Sequence, residues 1–77
     1  MSTWNYRVVK KTDPKTGETV YAIHEVYYDD AGKPDGCTKN SIAPMGESLA
    51  ELKRDMEYYL LALSKPVLEY DSLEEAE

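Results

Sequence analysis

The ten residues Thr19-Val20-Tyr21-Ala22-Ile23-His24-Glu25-Val26-Tyr27-Tyr28 are the only long uninterrupted run of strand-forming side chains in the chain, and they dictate what can be built around them. Side chains alternate across a strand. Val20, Ala22, His24, Val26 and Tyr28 therefore share one face, and Tyr21, Ile23, Glu25 and Tyr27 share the other. Both faces are substantially apolar, so this segment reads as the central strand of a small sheet that needs cover on two sides.

The segment before it alternates in the same way. Trp4, Tyr6, Val8 and Lys10 point to one side, and Asn5, Arg7, Val9 and Lys11 to the other. Asp13-Pro14-Lys15-Thr16-Gly17 then supplies a hairpin turn, with proline presetting φ and glycine closing the loop in the left-handed region. A four-residue loop Pro14–Gly17 sets Asp13 opposite Glu18. The register follows: Lys10 with Tyr21, Val9 with Ala22, Val8 with Ile23, Arg7 with His24, Tyr6 with Glu25 and Trp4 with Tyr27.

After Tyr28, Asp29-Asp30-Ala31-Gly32-Lys33-Pro34 reads as a second turn. Cys37–Ile42 reads as a third strand at the sheet edge, guarded by Lys39. Its register is open by one residue, and in one register Cys37 faces His24. Ala43–Glu47 is a loop, and Ser48-Leu49-Ala50-Glu51 is a capping box that starts a helix over 49–64. Leu49, Leu52, Met56, Tyr59, Leu60 and Leu63 make its apolar stripe, and Pro66 stops it. Pro66–Tyr70 is either a short fourth strand or an extended segment.

The expected fold is α+β: a three- or four-stranded antiparallel sheet, β-β-β-α with an optional closing strand near 67–70. One helix packs on one face, the bulkier Trp4/Tyr6/Ile23/Tyr27 side. Residues 1–70 form a single domain, and 71–77 form an acidic, disordered tail. The net charge of −6 is uneven. Residues 1–65 hold all nine Lys and Arg against ten Asp and Glu, while 66–77 hold five acids and no base. Neither part offers the basic stripe that binds nucleic-acid phosphates.

At 77 residues the chain is one domain that buries only ~60–65% of its unfolded surface. The lone cysteine, Cys37, forms no internal disulfide. With no signal-like start and no apolar span of membrane length, the expectation is a soluble cytoplasmic protein.

Residues that could carry chemistry are few. His24 and Cys37 could pair as base and thiol nucleophile, but no oxyanion donor or orienting third group accompanies them, so the favoured reading is packing and no enzyme is expected. Asp29, Asp30 and Asp35 lack the spacing of a calcium loop and read as turn residues; no metal or cofactor is expected. Trp4 and seven tyrosines, with no phenylalanine, suit half-buried rings at a core edge or an interface.

Trp4-Asn5-Tyr6-Arg7-Val8, His24-Glu25-Val26-Tyr27-Tyr28-Asp29, Gly32-Lys33-Pro34, Gly46-Glu47-Ser48-Leu49 and Lys65-Pro66-Val67-Leu68 together resemble a group of small, uncharacterised bacterial proteins. The resemblance spans most of residues 4–70 and brings no activity, cofactor or catalytic residue with it. In layout the chain also resembles the partial double-stranded-RNA-binding-like fold of HicB-type antitoxins, which implies a regulator with a toxin partner. The expectation drawn from the residues themselves is a protein-binding module, a homodimer included. It acts through a sheet edge or through the uncovered face Val9, Val20, Ala22, His24, Val26 and Tyr28.

Overall fold

The structure, a computed structural model, describes residues 3–76. In chain order these form β1 (Thr3–Thr12), β2 (Thr19–Tyr28), β3 (Pro34–Thr38), α1 (Leu49–Ala62), β4 (Leu68–Glu69), a 3-10 turn (Tyr70–Ser72) and β5 (Glu74–Ala76). The fold is α+β, as expected, but the sheet has five strands and is mixed. Its order is β4-β1-β2-β3-β5, with the inner pairs antiparallel and both edge strands parallel to their neighbours.

The first hairpin has the register its turn imposes, from Thr3 opposite Tyr28 to Thr12 opposite Thr19. The Asp13 amide donates to the Glu18 carbonyl at 2.8 Å, and Gly17 closes the loop at φ 77° with its amide on the Asp13 carbonyl. A residue with a Cβ would be strained there.

The third strand starts earlier than Cys37–Ile42. The second turn is tighter than its length suggested, because Asp29 Oδ1 accepts from the amides of both Ala31 (2.9 Å) and Lys33 (3.0 Å). The chain is thus back in strand geometry by Pro34, and a register shift between Tyr27 and Tyr28 absorbs the irregularity. Cys37 consequently faces Val26, not His24. Lys39 lies beyond the strand, and β3 is no edge, since β5 pairs along it.

The tail expected to be disordered supplies the rest of the sheet through Ala76; Glu77 lies outside the described residues. From β4 beside β1, the chain turns through Tyr70–Ser72 and joins the opposite edge as β5. A flat sheet would separate those edges by four strand spacings, ~19 Å, whereas the five steps from Glu69 to Glu74 reach at most ~17 Å even fully extended. The sheet must therefore curl. The segment 68–76 straps across its concave face and encloses a core of Val9, Val26, Cys37 and Leu73, with Tyr28, Leu68 and Tyr70 packed against it. At Gly36 the strap comes so close that a Cβ would sit 3.0 Å from the Glu74 carbonyl oxygen, which explains a glycine inside a strand.

Helix α1 lies on the other face. Ser48 caps it, accepting the Glu51 amide at 3.2 Å, and it ends two residues before the expected Ser64. It packs mainly on β1, where the Tyr6 and Tyr59 rings meet at 4.6 Å between centroids. The bulkier sheet face is thus the one under the helix. The buried side of α1 is Leu52, Asp55, Tyr59 and Ala62. Only Leu52 and Tyr59 of the expected stripe belong to it. Among the described residues no helix is long and apolar enough to cross a membrane.

Candidate protein-contact surface

The six residues expected to form an uncovered face do not form one. Val9 and Val26 are fully buried, His24 is 3% exposed, Ala22 and Tyr28 are half-buried, and Val20 alone is exposed. The physical reason is the strap. Leu68, Tyr70 and Leu73 are the apolar side chains of an otherwise acidic segment, and they supply the cover that the central strand requires. Tyr70 lies beside the His24 ring and under the Lys11 ammonium, whose Nζ stands 4.2 Å from the ring centroid. The segment that leads into the strap is also tied to the sheet by a buried guanidinium. Arg7 donates to the Tyr28 hydroxyl and to the Pro66 carbonyl, both at 2.8 Å, and the Tyr28 hydroxyl in turn donates to Asn5 Oδ1 at 2.7 Å. The partly exposed ion pair of Lys10 with Glu69, at 3.9 Å, adds little.

His24 and Cys37 share the covered face without forming a reactive pair. His24 Nδ1 lies 2.9 Å from the Thr38 carbonyl, an acceptor only, so that nitrogen carries the proton. Cys37 has no exposed surface. Burial, and then the Glu75 carboxylate, push its thiol pKa up, against a smaller opposing effect of Lys11. A thiol held protonated and out of solvent is a poor nucleophile. Labelling of the native protein by iodoacetamide at neutral pH is therefore expected to be at least ~100-fold slower than that of a free peptide thiol, and to become fast in denaturant. Equal rates in the native state would show that Cys37 is open.

Two phenols report on the two sides of the sheet. Burial, and then its hydrogen bond to Asp55 Oδ1 at 3.1 Å, push the Tyr6 pKa up to about 12. The Tyr70 hydroxyl is buried, with no partner at bonding geometry among the described residues, and burial followed by the nearby Glu75 carboxylate pushes it up to about 12 as well. Unfolded tyrosines ionise near pH ~10. Between those values the unfolded chain releases protons that the folded chain keeps, so stability is complete below pH ~10 and is lost as pH rises towards about 12. Tyrosinate absorbance and circular dichroism should show the last tyrosines ionising together with loss of the fold. Full ionisation with an unchanged spectrum would contradict the burial of Tyr6 and Tyr70.

What the structure leaves open is the helix. Leu49 (83% exposed), Met56 (46%), Leu60 (62%) and Leu63 (66%) form a continuous apolar flank at helical spacing. These are the residues of the expected stripe that α1 does not bury. The helix rests on one strand through the small Ala62 and through Asp55, whose oxygens accept from the Tyr6 hydroxyl and from the Met45 amide at 3.0 Å. Those two bonds turn Asp55 towards the sheet and rotate the apolar stripe partly into water. The opposite flank of α1 carries Tyr58 and Leu61, which line a groove against Trp4 and Tyr6.

No family model matches the chain, and no curated protein or solved structure matches it significantly.

Proposed function

We propose that this chain is a protein-binding module that pairs helix to helix through the outer flank of α1, and that the partner this flank fits is a second copy of the chain. The observation that carries the reading is the exposure of Leu49, Met56, Leu60 and Leu63 on one side of a helix in so small a domain. Full burial of such a side chain contributes ~1.5–3 kcal/mol, of which each forgoes the share still in water, and contiguous apolar surface of this kind marks contact sites.

The spacing supports self-pairing. Leu49 and Leu63 each lie seven residues from Met56, so a two-fold axis at Met56 brings Leu49 of one copy against Leu63 of the other in an antiparallel pair. An isologous interface needs this kind of self-complementarity. On one edge of the same flank stand Lys53 and Glu57, and the two-fold operation sets each beside the opposite charge in the other copy. The sheet edges offer less. They are strands of two and three residues, too short to template pairing.

Sedimentation equilibrium of the purified chain tests the reading. A particle of twice the 8.8 kDa chain mass is expected. A monomer at every concentration up to about 1 mM would remove the second copy as the partner.

A further inference from the structure

The groove on the other flank of α1 is independent of that pairing and stays open in it. Its walls are Trp4 and Tyr6 from the start of β1 and Tyr58 and Leu61 from the second half of the helix. Asp55 and Lys65 supply its charges, and it encloses about 550 Å³. That volume is within the ~300–1,000 Å³ typical of sites for small ligands. We propose that this groove binds an organic cation, an ammonium or guanidinium on an aliphatic stem, seated between the aromatic rings at the Asp55 end.

Three features converge on that chemistry. The rings come first: Trp4 and Tyr6 stand 5.5 Å apart between centroids and are tilted 60° to one another, with Tyr58 facing them from the helix. Aromatic faces carry negative potential and attract cations, tryptophan most strongly. Trp4 and Tyr58 are each 52% exposed, so their rings are available to a ligand.

The second feature is Asp55. Its side chain is fixed by the bonds from the Tyr6 hydroxyl and the Met45 amide, so a carboxylate is held in place before any ligand arrives. A neutral apolar ligand would make no use of it, and an anion would be repelled by both the carboxylate and the ring faces. The third is the position of Lys65. It lies past the end of α1, ten residues after Asp55, and lines the same groove, so the cation is placed at the aspartate end and its stem runs towards the lysine over Leu61. The net charge of −6 also favours the approach of a cation.

Trp4 is the only tryptophan, so its fluorescence reports on the groove directly. The probes are arginine amide and tetramethylammonium chloride, with neopentyl alcohol as the neutral shape control and sodium chloride at matched ionic strength. Saturable change in Trp4 emission with both cations, and none with the alcohol or the salt, is the expected result.

Tyr58→Ala should weaken cation binding about fivefold by removing one ring. Lys65→Glu, an exposed site with no part in the fold, should tighten it about threefold or more by replacing repulsion with attraction. Asp55→Asn should weaken it at least about tenfold. If that variant does not fold, Tyr58→Ala and Lys65→Glu decide.

Equal binding of neopentyl alcohol, weaker binding in Lys65→Glu, or no saturation with either cation overturns the proposal. Comparing arginine amide with acetyl-Ala-Arg-Ala-amide identifies the source of the cation. Tighter binding of the peptide assigns a side chain of a protein, equal binding assigns a free amine, and both uphold the site.

Discussion

Leu73→Asp is expected to unfold a large part of the protein at 25 °C. Leu73 is 8% exposed in the cluster with Val9, Val26 and Cys37, and it holds the strap over the concave face of the sheet. Truncating a buried leucine costs ~2–5 kcal/mol, and placing a carboxylate among apolar side chains costs more. A domain of 77 residues has only ~4–12 kcal/mol in total, so this one change removes half of the stability or all of it. Urea denaturation followed by circular dichroism measures the loss. Leu73→Met, which keeps volume and polarity, should cost less than ~1.5 kcal/mol. An unchanged midpoint for Leu73→Asp would mean that the strap does not cover Val9 and Val26, and that the sheet face is open after all.

Leu60→Lys is expected to have the opposite profile, with little effect on the fold and a large effect on association. Leu60 is 62% exposed, so within one chain the substitution should stay within about ±0.5 kcal/mol. In the antiparallel pair each lysine enters an apolar seam opposite the other copy's helix, and symmetry counts the cost twice. A penalty of ~1.5 kcal/mol per site weakens the dimer more than ~100-fold. The variant should sediment as a monomer with an unaltered circular dichroism spectrum. If it associates as strongly as the wild type, α1 is not the contact surface.

How much of this could be read from the chain differs from element to element. The first hairpin was legible down to its register, because Asp13-Pro14-Lys15-Thr16-Gly17 admits one turn and both strands alternate cleanly. The third strand begins earlier than the sequence suggests, because the Asp29-capped turn returns the chain to strand geometry by Pro34. Gly36 is a strand residue, made small by the close approach of Glu74.

The helix was legible in extent but not in rotation. A stripe running through Leu49, Leu52, Met56, Tyr59, Leu60 and Leu63 is wider than one strand can cover, and a polar residue, Asp55, decides which part faces inward. Hydrophobic periodicity carries no signal for that. The strap is hidden by its four acids, Glu69, Asp71, Glu74 and Glu75. The signal that could have found it is the spacing of Leu68, Tyr70 and Leu73, the large apolar side chains of a mostly acidic segment, beside a central strand with one face still bare.

The second face of the central strand needs cover for Val9, Ala22, His24 and Val26, and the chain itself provides most of it. The unsatisfied apolar surface passes to the flank of α1.

Oxidative cross-linking of Met56→Cys tests the pairing most directly, with the wild-type chain, which carries Cys37 alone, as control. A two-fold axis at residue 56 brings the two introduced thiols within the ~4.4–6.8 Å Cα separation that a disulfide spans. Met56→Cys should form a covalent dimer rapidly and nearly completely at micromolar concentration, while the wild type and Tyr58→Cys, on the opposite flank, should not. Cross-linking of Tyr58→Cys as fast as Met56→Cys, or no preferential linkage at position 56, would contradict an antiparallel pair built on the outer flank of α1.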